Sequence, residues 1–150
     1  LTLINNAHKK YSGESIDALV NGLGGTTNFR DTSWQGFEAK DVVATIDLGK
    51  VQKVKSIEAR FLQDQVAWIF LPQKVEIEHS IDGHNFESLY EYYPNNEFSF
   101  IQKIFEYKAE PKDLESRFIR VKGLNINKCP DYHPGAGRPC WVFSDEILIN

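Results

Sequence analysis

The sequence predicts an all-β sandwich, and three observations carry that expectation. Short segments alternate apolar and polar residues with the two-residue period of a half-buried strand. Turn signals at Gly49-Lys50, Asp82-Gly83 and Pro94-Asn95-Asn96 separate them at close intervals. No stretch sustains a helical period, and 13% of the 150 residues are Phe, Tyr or Trp, types that suit a pleated surface.

In chain order, Leu1 to Tyr11 reads as at most an edge strand, and Glu14 to Val20 as one helical turn stopped by glycines. Ala18 to Phe37 has no period and packs Gly22, Gly24, Gly25 and Gly36 among Asn, Thr and Asp. Such a long irregular segment in a small domain is functional or tied down by an ion. Its backbone offers the carbonyls of Ala18, Leu23 and Thr26, with side-chain oxygens from Asn21 and Thr26. Val42 to Leu48 alternates, placing Val42, Ala44, Ile46 and Leu48 on one face. The chain is expected to turn at Gly49-Lys50 and return as one strand over residues 51–62, with Ile57, Ala59 and Phe61 inward. Residues 63–71 break the alternation before Pro72. Strands then follow over 74–80, 87–93, 98–108, 117–122 and 141–150, with a second irregular loop over 127–139. Seven or eight strands, no repeat and no linker give one domain over 1–150.

Composition excludes several functions. A net charge of -4, from 17 Lys+Arg against 21 Asp+Glu, argues against nucleic acid or an anionic membrane as the main partner. No apolar run approaches the ~20 residues of a membrane span. The start at Leu1 points to a processed protein or a piece of a longer one. Cys129 and Cys140 flank a loop rich in Pro and Gly; both a disulfide and two free thiols fit that spacing. An enzyme needs a nucleophile with a base, paired carboxylates or a catalytic metal. Here His8, His79, His84 and His133 are scattered, and Asp31 and Asp64 share nothing beyond loop membership. A zinc site from Cys129, His133 and Cys140 has three ligands at unusual spacing. Trp68-Ile69-Phe70-Leu71 lacks the flanking basic residues of a phospholipid spike, Lys74 aside.

The ordered set Ala18-Leu19-Val20-Asn21-Gly22, Thr26, Trp34, Ile46-Asp47-Leu48-Gly49, residues 80–86 from Ser80 to Phe86, residues 117–121 from Arg117 to Val121, and Asp145-Glu146-Ile147 resembles the discoidin-like, or coagulation factor type C, family. That family includes carbohydrate-binding module family 32. Asn28-Phe29-Arg30-Asp31, Trp34-Gln35-Gly36-Phe37 and His133-Pro134-Gly135 resemble the C-terminal module of Bacteroidetes chitobiase (β-N-acetylhexosaminidase) proteins. The resemblance implies an eight-stranded antiparallel jelly-roll sandwich, a structural calcium ion, and a sugar site on loops at one end. By position the calcium ligands become Ala18, Asn21, Leu23, Thr26, Asp145 and Glu146, an all-oxygen set suited to a hard cation. Asn21 stands where the family usually has Asp, so the expected affinity is weak. Resemblance also implies a non-catalytic, extracytoplasmic module (periplasmic, surface-bound or secreted), attached to the catalytic domain of the same chain.

Sugars present an apolar C–H face and a ring of hydroxyls, so their sites pair an aromatic platform with polar groups. Three loops supply both types: Asp31, Trp34 and Gln35; Gln63, Asp64, Gln65 and Trp68; Tyr132, His133 and Arg138, leading into Trp141. The expected ligand is glycan or oligosaccharide. The alternative is a structural domain whose loop aromatics dock on protein and bind no sugar.

Overall fold

A computed structural model describes residues 1–150. Its two antiparallel sheets face each other across one core. One sheet has five strands in the order β1 (Thr2–Leu3), β3 (Val42–Val54), β8 (Leu114–Leu124), β5 (Lys74–Ser80), β6 (Glu87–Tyr92). The other has four, in the order β2 (Gln35–Glu38), β9 (Trp141–Ile149), β4 (Ile57–Gln63), β7 (Lys103–Ala109). The strand total is therefore nine, the short β1 and β2 among them. The fold class expected from the sequence is the one observed.

Alternation sets the core. In the β3–β8 register Ala44 faces Val121 and Ile46 faces Ile119, and Ile57, Ala59 and Phe61 of β4 are fully buried against them. Several boundaries differ from the sequence reading; β8, expected over 117–122, runs from Leu114 to Leu124. The chain does not turn at Gly49. That glycine takes φ +83 inside β3, where a register irregularity lies between Asp47 and Gln52, and Asp47 Oδ1 accepts its N–H at 2.8 Å. The stretch 51–62 is therefore not one strand: its first part finishes β3, and after Ser56 the chain crosses to the other sheet as β4. Residues 93–102 belong to no strand, so the long aromatic strand expected from 98 begins only at Lys103. Finally, Gln35–Glu38, expected as loop, pairs with β9.

Cys129 and Cys140 are buried free thiols in one cluster with Phe70. Backbone pairing sets Cys129 beside Arg138 (N–H to carbonyl, 2.8 Å) and Cys140 beside Asn127 (3.2 Å). The two are thus offset along the ladder and not directly opposite.

Candidate functional site

At one end of the sandwich the connections after β4, β6 and β8 enclose a concave pocket of about 460 Å³. Its wall is aromatic: Trp68 from the first connection, Phe98 and Phe100 from the second, Tyr132 from the third. The Phe98 and Phe100 rings meet edge to face at 4.6 Å, and Phe98 meets Tyr132 at 5.8 Å. Phe100 is 74% exposed, Phe98 52% and Tyr132 42%, far more than rings that only fill a core. Edge-to-face contacts hold these rings as one surface.

The backbone positions Trp68 with care. A 3-10 turn at Gln65–Ala67 is capped by Asp64, and Trp68 ends it in the left-handed region at φ 67. A bulky residue there is strained and persists only where its surroundings hold it. Its N–H bonds the Gln65 carbonyl at 3.0 Å. The indole lies against Gly135, where an added Cβ would sit 2.7 Å from the ring, so only glycine admits it. Arg138 lies over the indole at 4.9 Å.

The polar residues expected to read sugar in this loop serve the protein instead. Gln65 Nε2 donates to the Glu97 carbonyl at 2.9 Å, and its Oε1 accepts from Ser99 N–H at 3.1 Å. Asp64 Oδ2 accepts from Gln102 at 2.9 Å, and Gln63 donates to the Ile101 carbonyl at 3.1 Å. All three side chains are buried under residues 96–102. His133 is buried too: Nε2–H donates to the Gln65 carbonyl at 2.7 Å, and Nδ1 accepts from Gly135 N–H at 3.0 Å. Both ring nitrogens are occupied, which fixes the tautomer and clips the third connection to the first.

The three loops of the sequence reading do not meet as one surface. Trp34 is 1% exposed and packs with Leu62, Ile69 and Phe143, its Nε1–H donating to the Thr26 carbonyl at 2.9 Å. Gln35 is buried in β2 and donates to Ser12. Asp31 accepts from the Thr26 N–H at 2.9 Å and from its hydroxyl, contacts that hold its carboxyl below the ordinary value. Trp141 opens β9 and lines a separate concavity of about 250 Å³ with His8, Tyr11 and Phe29. Of the eleven expected ligand residues, Gln65, Trp68, Tyr132 and His133 line the larger pocket. Phe98 and Phe100 escaped the sequence reading as site residues. The available signal was two phenylalanines at i and i+2 directly after the Pro94-Asn95-Asn96 turn.

A family model, the F5/8 type C domain, matches residues 4–137. The chain belongs to the F5/8 type C family. No curated protein matches it in sequence. Among solved structures, the Clostridium perfringens module CpGH89CBM32-6 superposes with TM-score 0.58 at 16% identity, covering 99% of this chain and 90% of that one. CpGH89CBM32-5 of the same organism, in complex with GalNAc-β-1,3-galactose, gives 0.57 at 15%, covering 99% and 91%. The C-terminal domain of a Bacteroides fragilis chitobiase gives 0.54 at 16%, again covering 99% and 91%. At these identities the likeness is one of fold.

In this F5/8 type C domain the glycine-rich loop is anchored at a bulge in β9. Ala59 pairs with Ile147 but Phe61 with Ser144, so Asp145 and Glu146 together oppose Arg60. Asp145 is fully buried: Oδ2 accepts from Gly25 N–H at 2.6 Å and lies 3.1 Å from Arg60 Nη1. Burial nevertheless pushes its carboxyl up to about 6 and also raises that of Glu146. Glu146 Oε2 is buried with no partner, and the Leu23 carbonyl accepts no hydrogen bond. Those oxygens suit a hard cation. Other expected donors are engaged: Asn21 Oδ1 accepts from Leu23 N–H at 2.9 Å, and the Thr26 carbonyl and hydroxyl serve Trp34 and Asp31. Asn21 and Thr26 could serve a cation only by giving up these bonds, which leaves Glu146 and backbone carbonyls as the candidate donors, with the backbone N–H groups of Gly22 and Leu23 also directed at the Glu146 carboxyl. No helix is long and apolar enough to cross a membrane.

Proposed function

We propose that this chain is a non-catalytic carbohydrate-binding module that tethers an attached glycoside hydrolase to glycan, with a hexose or N-acetylhexosamine seated between Trp68, Phe98, Phe100 and Tyr132. The observation that carries the reading is the exposed aromatic pocket, of a size that takes one or two sugar rings. The sugar-bound C. perfringens module of the same fold supports it. Stacking that removes ~100 Å² from water contributes about 2.5 kcal/mol, and each of two or three hydrogen bonds about 1 kcal/mol. Set against the cost of association, this gives a Kd on the order of 10⁻⁴ to 10⁻³ M. Such a module works through multiple contacts on polymeric glycan. Glu146, with the carbonyls of Ala18, Leu23 and Asp145, would hold calcium and fasten the glycine-rich loop to β9.

The deciding experiment is a glycan array followed by calorimetric titration of wild type and Phe100→Ala. We expect the variant to melt as wild type does and to bind the best glycan about tenfold more weakly. A second reading, docking onto a neighbouring domain, is favoured by Ile101 and Tyr93, 66% and 70% exposed in the same connection that supplies Phe98 and Phe100. It is the outcome if no glycan binds while the isolated module associates with the catalytic domain of its own chain.

A further inference from the structure

Of the five arginines, Arg60, Arg117 and Arg120 are each paired with a carboxylate. The other two have no acidic partner, and both lie at the loop end against aromatic rings. Arg138 sits 4.9 Å over the ring of Trp68, which itself lines the larger pocket. Arg30 sits 4.4 Å over Phe29 and lines a further concavity of about 260 Å³ with Lys10 and Tyr11. That concavity and the one under Trp141 share Lys10 and Tyr11 in their walls. The turn after β4 is the ridge between the two sides. Val66 and Trp68 face the larger pocket, Ala67 and Ile69 the Trp141 side.

A guanidinium that contacts a ring and has no carboxylate partner keeps N–H donors for an external acceptor, and its fork matches carboxylate or sulfate oxygens better than single hydroxyls. The neighbouring carboxylates of Asp31 and Glu14 already accept from Thr26 and from Thr32 (2.6 Å), and neither pairs with Arg30 or Lys10. With the whole chain at -4, long-range attraction of a polyanion is absent. Selection would come from direct pairing.

We propose that the glycan is acidic, its sugars bearing carboxylate or sulfate groups, and that Arg138 and Arg30 read those groups on the two sides of the ridge. The proposal rests on the sugar-binding reading above.

Affinity electrophoresis of the module tests it against polygalacturonate, fully methyl-esterified polygalacturonate, a sulfated galactan and an unsubstituted galactan. Expected is retardation by one or both anionic polymers, with methyl esterification abolishing the first. Polygalacturonate alone identifies carboxylate, and sulfated galactan alone identifies sulfate. Arg138→Ala and Arg30→Ala should each weaken anionic binding about tenfold, and Arg138→Lys should restore little because the fork is lost. Thermal melts confirm that the variants fold. Equal retardation by charged and uncharged polymers with both arginine variants unaffected overturns the proposal. Retardation by unsubstituted galactan alone overturns it and leaves the sugar-binding reading standing. Retardation by none of the four, with a blank glycan array, overturns both.

Discussion

Trp34 and Phe100 are both ring side chains in irregular sequence, yet they do opposite work. Trp34 fills the gap above Leu62 and Phe143 and closes on Gly25, where an added Cβ would lie 2.5 Å from its Nε1. Trp34→Ala should cost about 3–5 kcal/mol through the cavity and the lost Thr26 contact, lowering the melting temperature by roughly 10 °C or more. A variant that melts normally but loses glycan binding would return Trp34 to the ligand surface. The thiols give a second test at this scale. Burial pushes the Cys140 thiol up to about 12 and raises that of Cys129 as well. A raised thiol pKa leaves almost no thiolate at pH 8, so native protein should react with a disulfide reagent far more slowly than protein in guanidinium. Rapid labelling of the folded protein would contradict the burial.

At the scale of elements, the pocket depends on a segment that belongs to no strand, residues 93–102, held on the end of β4 by Gln63, Asp64 and Gln65. Asn96 reinforces it, exchanging hydrogen bonds with the backbone of Leu71 at 3.0 and 2.7 Å. Gln65→Ala removes two of these bonds, about 1 kcal/mol each. Amide exchange at Ser99 and Ile101 should then speed up about tenfold, and glycan affinity should fall although Gln65 need not touch sugar. Unchanged protection of those amides would remove the segment's dependence on the clip. This arrangement was hidden in the sequence. A run of Gln-Asp-Gln in a loop looks the same whether it faces solvent or lies under another segment. By contrast, Ile57, Ala59 and Phe61 were legible as core because strand geometry alone puts alternate residues on one face.

For the whole molecule, the bulge at Asp145 and Glu146 links the glycine-rich loop to both β9 and Arg60, so an ion there acts on global stability. With a Kd near 10⁻³ M, 10 mM calcium should stabilise the fold by about 1.4 kcal/mol, a rise of roughly 3–5 °C over protein in chelator. Glu146→Gln should abolish the difference, and identical melts for wild type in both solutions would remove calcium from the account. The local pattern by itself determined the all-β class, the inward faces of the strands and the ordered motifs of the F5/8 type C family, because each is written in short-range periodicity or spacing. Only the tertiary structure decided that the chain changes sheets after Ser56, that Trp34 turns inward, and that Phe98 and Phe100 complete a pocket with Trp68 and Tyr132. Those outcomes depend on which distant segments come to lie against one another, and irregular loops carry no period from which that neighbour could be read.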